Sequence, residues 1–196
     1  CHIGLMAFHA GFDIVYVDKD KPLVDALKSE GRYSVELIGK SSTVEVDNFK
    51  IYHNLQRDEI ASEIADSVLV LTAVFPKNFS DVAITIAKAV KLCKSRPRTM
   101  PLNFIACENM QNSSTALANE VKPLLDDSEL AYLNKHIGFP DCMISRVVPK
   151  PETDPLKMQA EDYNEWTARV ADFKGSKPAA LDVLELVQDQ IGRAHV

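Results

Sequence analysis

The apolar positions of this chain fall into two arrangements, short dense runs and longer stretches at helical spacing, whose succession predicts an α/β protein. Within Cys1–Ala10, Ile3, Met6, Ala7 and Ala10 stand at helical spacing, and Gly11 supplies a stop. Phe12–Val17 (FDIVYV) is β-branched and aromatic and predicts a strand closed by Asp18. Lys21–Ser29 predicts a second helix, with Pro22 near its start and Gly31 past its end. Tyr33–Ile38 and Thr43–Val46 alternate with the period of half-buried strands around Gly39-Lys40-Ser41-Ser42, which predicts a hairpin inserted into the α/β pattern. Phe49–His53 reads as a further short strand. Arg57–Asp66 reads as an amphipathic helix with Ile60, Ile64 and Ala65 on one face.

Val68–Val74 (VLVLTAV) is the most apolar strand and is expected at the centre of the sheet, ending in Phe75-Pro76-Lys77-Asn78 before a helix over Phe79–Ser95. Leu102–Cys107 is a second apolar run, the pattern of a strand buried on both faces, and it stops abruptly at Glu108-Asn109. Helical segments over Ser113–Leu125 and Ser128–His136 follow, joined at Asp126-Asp127. Phe139–Cys142 reads as a loop, Met143–Val148 as a strand ended by Pro149, and Lys150–Pro155 as a polar connection. Leu156–Ala160 and Tyr163–Thr167 read as short strands before Asp172–Pro178, and no internal repeat appears.

Composition narrows the function classes. The 196 residues, 26% of them charged, suffice for one real core and the start of a second domain. A net charge of -6 argues against non-specific nucleic-acid binding and against a polybasic membrane anchor. No apolar run approaches the roughly 18–20 residues of a membrane helix. Cys1, Cys93, Cys107 and Cys142 lack CxxC spacing, so neither a zinc site nor a disulfide framework is expected. Cys107 and Cys142 read as buried thiols, and the natural compartment is a reducing cytoplasm.

Candidate chemistry collects where strands end. An acid at the position of Asp18 suits the ribose hydroxyls of NAD and repels a 2′-phosphate; a solvated strand-end Asp, or the cap of the next helix, is the alternative. Asn109, just past an apolar strand, is either a turn residue or an amide donor to an oxygen that gains negative charge. The loop after Val74 is either a plain strand-to-helix connection or a wall of a cofactor site. His136 reads as a helix-end residue.

Five segments together resemble the mannitol-1-phosphate 5-dehydrogenases of the long-chain, metal-independent polyol dehydrogenase family. His2–Asp20 (HIGLMAFHAGFDIVYVDKD) is similar to the family's first helix, second strand and acidic strand end, and Leu71–Pro76 (LTAVFP) to its T-A-V-G-P loop. Leu102–Met110 (LNFIACENM) is similar to its N-x-I-A-C-E-N-M strand, and Gly138–Pro149 (GFPDCMISRVVP) to its G-F-x-(D/N)-x-x-x-D-R-I-V-P run. Asp162–Gly175 (DYNEWTARVADFKG) resembles its F-x-E-W…F-K-G segment.

The resemblance implies a Rossmann-type NAD-binding domain over residues 1–178, lacking its first strand, and only the start of a C-terminal helical domain over 179–190. Residues 191–196 (IGRAHV) resemble a translated sequencing adapter and are set aside. It further implies reversible hydride transfer between mannitol 1-phosphate and fructose 6-phosphate, with NAD and without metal. The partner is a sugar or polyol phosphate, and neither nucleic acid nor membrane is expected. Asp18 matches the ribose-binding acid, Thr72, Ala73 and Val74 the cofactor-lining strand end, and Asn109 the oxyanion-binding asparagine. The glycine-rich turn would precede Cys1 and the catalytic lysine would follow residue 190, so the chain alone is expected to be inactive. Lys174 and Lys177 match no family motif. Phe75 replaces a usual Gly, and Ser145 a usual Asp before Arg146. A mannitol 2-dehydrogenase, a hexuronate reductase and a non-catalytic nucleotide-binding relative are the competing readings; Glu108 in C-E-N favours the phosphate branch.

Overall fold

The computed structural model describes residues 2–38, 42–144, 154–161, 165–175 and 185–186. In chain order the elements are α1 (His2–His9), β1 (Ile14–Asp18), α2 (Lys21–Glu30), β2 (Arg32–Ile38), β3 (Ser42–Asp47), β4 (Phe49–His53), α3 (Arg57–Asp66), β5 (Leu69–Thr72), α4 (Phe79–Ser95), β6 (Leu102–Ala106), α5 (Ser113–Val121), α6 (Asp127–His136), β7 (Ile137–Gly138), β8 (Cys142–Ile144), β9 (Lys157–Glu161), β10 (Glu165–Ala168) and β11 (Glu185–Leu186). They divide between two compact units, Cys1–Gln56 with Arg146–Asn164, and Arg57–Ser145 with Glu165–Val196.

In the first unit β1 runs parallel to β4, from Ile14 opposite Phe49 to Asp18 opposite His53. The hairpin is present: β2 pairs antiparallel with β3 and parallel with β9. Local chemistry sets the bounds of α2. The Asp20 carboxylate accepts the Leu23 N–H at 3.3 Å, Pro22 occupies the first turn, and Gly31 at φ 65° sends its N–H back to the Leu27 carbonyl. Leu5, Val24, Leu27, Val35, Val46 and Ile51 form the core. Helix α1 approaches β1 so closely at Gly4 that a Cβ there would overlap the Tyr16 hydroxyl.

In the second unit β5, β6 and β7 form a parallel sheet in that order. Phe104, Leu102, Ile86, Val90, Leu117 and Val121 fill its core, each contributing about 1.5–3 kcal/mol by leaving water. All five residues of β6 are buried, as a strand covered on both faces requires. Among the described residues β6, rather than β5, is therefore the middle strand of this sheet. A second sheet in this unit orders β11-β10-β8.

Three differences from the pattern-based expectation stand out in the second unit. β5 ends at Thr72, two residues early, and the amides of Val74 and Phe75 bond a side chain instead of a neighbouring strand. α5 ends at Val121 and tightens into a 3-10 turn over Lys122–Leu124, since Pro123 has no N–H to continue the ladder. Ile137–Gly138, expected in no strand, pairs with Leu102 and Asn103 directly after α6. The expected strand beyond Ile144, with Ser145, Arg146 and Pro149, lies outside the described residues, as do Gly39–Ser41, Lys177, the 178/179 boundary and residues 191–196.

Candidate active site

Two adjacent parallel strands, β5 and β6, end side by side in the second unit, with Thr72 in register with Ala106. The Cys107 N–H extends the ladder by donating to the Thr72 carbonyl at 2.7 Å. Beyond that point the backbones separate and a side chain takes over. Glu108 is buried, 7% exposed, and its Oε1 accepts the main-chain N–H groups of Val74 at 2.7 Å and Phe75 at 2.9 Å. One charged oxygen thus holds two consecutive amides. The Asn78 carboxamide donates back to the Val74 carbonyl and closes the turn.

Phe75 lies at φ 62°, ψ 141°. Pro76 accounts for the extended ψ. The positive φ suits glycine and costs a phenylalanine about 1–3 kcal/mol, a cost that persists only where surrounding bonds impose it. The Glu108 latch is that constraint. The ring itself is 69% exposed.

Asn109 follows Glu108 and is exposed; its carboxamide is unengaged among the described residues. Its surroundings are tied down. The Ser113 hydroxyl donates to the Ala106 carbonyl at 2.6 Å, and the Ala106 N–H donates to Ser114 Oγ at 2.9 Å, with both serines fully buried. The start of α5 is capped from a distance: the buried Asp141 accepts the Thr115 N–H at 2.8 Å and the Thr115 hydroxyl at 2.6 Å. Arg169 Nη1 lies 3.6 Å from the same carboxylate. The end of β6 and the first turn of α5 form one rigid corner, and Asn109 projects from it.

Thr72 is 7% exposed, and its Oγ1 is buried without a hydrogen-bond partner among the described residues. Such orphaned hydroxyls are rare. Ala73 is exposed and Val74 half-buried. Burial, with the Cys142 thiol and the Glu108 carboxylate beside it, pushes the Cys107 thiol well above the ordinary value, which disfavours the thiolate. Thr72, Ala73, Val74 and Asn109 therefore occupy the carboxyl ends of neighbouring strands, where open α/β sheets bind ligands. Glu108, which joins the two ends, carried no structural signal beyond being an acid at the end of an apolar run.

Asp18 belongs to the first unit and is the last residue of β1. Its Oδ1 accepts the Asp20 N–H at 2.8 Å, and its carbonyl accepts the Asn54 N–H at 3.0 Å. Asp20, not Asp18, caps α2. The second carboxylate oxygen of Asp18 takes no hydrogen bond among the described residues. His136 ends α6 with its ring 4.7 Å from that of Tyr132. Lys174 is held through its main chain: its N–H donates to Asn103 Oδ1 at 2.9 Å and its carbonyl accepts from Asn103 Nδ2 at 3.2 Å. Among the described residues no three His, Cys, Asp or Glu side chains are grouped to hold a metal ion, and no helix is long and apolar enough to cross a membrane.

A sequence profile described as Mannitol dehydrogenase Rossmann domain matches residues 1–181. Among solved structures, the mannitol 2-dehydrogenase of Pseudomonas fluorescens, in ternary complex with NAD and D-mannitol, is similar to 96% of this chain with a TM-score of 0.79 at 12% identity. The 2-dehydropantoate 2-reductase of Geobacter metallireducens is similar to 93% of it, with a TM-score of 0.55 at 12% identity. The chain spans about half the length of these two proteins, 50% and 48% respectively. At such identities the likeness concerns the fold, which is Rossmann-like.

Proposed function

Because the chain belongs to the Mannitol dehydrogenase Rossmann domain family, we propose that the whole protein is an NAD-dependent oxidoreductase of the cytoplasm that interconverts mannitol 1-phosphate and fructose 6-phosphate. The residues present fit NAD on two observations: Asp18 keeps a carboxylate oxygen free of hydrogen bonds among the described residues, and the buried Thr72 hydroxyl lacks a partner there. Asp18 would accept the adenosine ribose hydroxyls, while Thr72, Ala73 and Val74 would line the cofactor. When bound, NAD supplies the nicotinamide ring that takes up or returns the hydride.

Asn109 carries the chemistry assigned to this chain. Its exposed Nδ2 donates to the substrate oxygen at the reacting carbon, which is a hydroxyl in the polyol and a carbonyl in the ketose. As negative charge develops on that oxygen, a fixed amide dipole stabilises it without needing to reorganise. We assign no general acid or base to the described residues; the resemblance reserves that role for a lysine of the helical domain.

The observation that carries this reading is the unengaged amide of Asn109 on a rigid corner at the carboxyl end of β6. The test is NADH formation by the full-length protein supplied with NAD and either mannitol 1-phosphate or mannitol. Turnover of the phosphate is expected. Turnover of mannitol alone would establish the second reading, a mannitol 2-dehydrogenase, which the likeness to the Pseudomonas fluorescens enzyme favours. NAD binding without turnover of either polyol would favour the non-catalytic reading or an altered substrate, such as a hexuronate.

A further inference from the structure

We infer that Phe75 is a cofactor-contacting residue whose exposed ring provides a face for the pyridinium ring of oxidised NAD, so that this protein holds the oxidised cofactor more tightly than a glycine at that position would allow. The inference rests on the NAD reading above and adds a residue to it. Three observations carry it, all within the second unit.

The first is the conformation. Phe75 stands at φ 62°, where glycine is free of strain and a side chain is not. The second is what the chain does with the ring. It is 69% exposed and joins no ring pair among the described residues, so its apolar faces contribute nothing to the core. A large aromatic kept in a costly conformation and left unburied is open to a ligand.

The third is where the ring is held. Phe75 comes directly after Thr72, Ala73 and Val74 at the carboxyl end of β5, the strand end that carries the unpaired Thr72 hydroxyl. The Glu108 latch, at 2.7 and 2.9 Å, fixes the backbone of Val74 and Phe75, so the ring is presented from a set position. A flat ligand arriving there meets an aromatic face.

The chemistry of that face discriminates between redox states. The quadrupole of an aromatic ring makes its face negative, which attracts a cation centred over it. The oxidised nicotinamide is a pyridinium cation and the reduced ring is neutral. Both can stack, but only the oxidised form gains the cation–π attraction. The buried Glu108 carboxylate adds negative charge at the same strand end and acts in the same direction.

The test is isothermal titration of the full-length protein with NAD and, separately, with NADH. Phe75→Leu keeps the apolar bulk and removes the aromatic face; Phe75→Tyr keeps the face. Phe75→Leu is expected to raise the dissociation constant of NAD by about tenfold and that of NADH by less than about threefold. Phe75→Tyr is expected to leave both within about twofold, which also shows that substitution here does not unfold the protein. Unchanged constants in Phe75→Leu, or equal weakening of both forms, would overturn the inference while leaving the NAD reading intact. Tighter binding in Phe75→Leu would show that the ring obstructs the site and would overturn it as well. If the unmodified protein binds neither form, both readings fall.

Discussion

Glu108 and Phe75 are 33 residues apart in sequence, yet the carboxylate of the first accepts the main-chain N–H of the second at 2.9 Å, and the N–H of Val74 at 2.7 Å. This bond sets the geometry at the paired ends of β5 and β6. It takes up the amides of Val74 and Phe75, just beyond the end of β5 at Thr72. It places the backbone of Phe75 in a glycine-like region. It also fixes the residue immediately before Asn109.

Removing the latch should therefore cost stability. Glu108→Ala leaves two part-buried amides without their charged acceptor, and hydrogen bonds to charged groups contribute about 1.5–3 kcal/mol each. A loss of about 3 kcal/mol in unfolding free energy is expected from urea titration of the full-length protein. Glu108→Gln keeps an acceptor oxygen and loses only the charge, so a loss nearer 1 kcal/mol is expected. Equal losses in the two variants would show that the acceptor oxygen is not what holds the turn.

Asn109 predicts the opposite pattern. Its side chain is exposed and unengaged among the described residues, so Asn109→Ala should leave the melting temperature nearly unchanged. If its amide meets the developing oxyanion, kcat should fall by about 100- to 1,000-fold, with a smaller effect on NAD affinity. A variant that keeps full kcat returns Asn109 to the role of a turn residue. One that loses kcat and stability together points to damage at the α5 corner instead.

Sequence pattern reaches those features whose causes are local. The start and stop of α2 follow from Pro22 and Gly31, both within one turn of its ends. The β2–β3 hairpin follows from alternation on both sides of a polar turn, and the burial of β6 from its unbroken apolar run. What escapes sequence reading is made by distant partners. Nothing around Phe75 announces that an acid from the next strand will hold it, and nothing around Thr115 announces that Asp141 will cap its helix across 26 residues. Ile137–Gly138 is too short for a two-residue period to show. At the first strand end Asp18 closes β1, as the pattern predicts, while the cap of α2 is its neighbour Asp20, whose amide bonds one oxygen of Asp18.

A second long-range contact sets the fit of β7. Asn103, on β6, bonds the N–H and the carbonyl of Lys174, and Gly138, paired with Asn103, leaves room for that exchange. A Cβ at Gly138 would overlap Asn103 Oδ1 and come within 2.9 Å of the Asp172 carbonyl oxygen and the Lys174 nitrogen. Gly138→Ala is expected to destabilise the protein by about 3 kcal/mol, since backbone atoms cannot move aside as a flexible side chain would. Asn103→Ala removes one of the three obstacles. Denaturant midpoints of the two single variants and the double variant should then be non-additive, with the second substitution costing less in the presence of the first.

Alkaline pH probes the first unit through its tyrosine pair. The hydroxyls of Tyr16 and Tyr33 lie 2.8 Å apart, with their rings and that of Phe49 packed together. Burial pushes both phenols above their ordinary value of 10.0; at Tyr33 the neighbouring Tyr16 adds to the rise, while at Tyr16 the bond to Tyr33 partly opposes it. Below that value both the folded and the unfolded chain keep these protons, and their contribution to stability is fully present. Above it the unfolded chain releases them while the folded chain retains them, so the unfolded state binds fewer protons and stability falls as pH rises. The slope attributable to the pair is at most about 1.4 kcal/mol per pH unit for each phenol. Unfolding free energies measured by denaturant titration between about pH 8 and about pH 11 should decline with this curvature. Tyr16→Phe with Tyr33→Phe should flatten it. A shallower decline should survive, because the buried thiols of Cys93 and Cys107 are also raised, from 9.0, and act with the same sign. A double variant whose stability falls as steeply as that of the unmodified protein would mean that the phenols are not the groups the folded state protects.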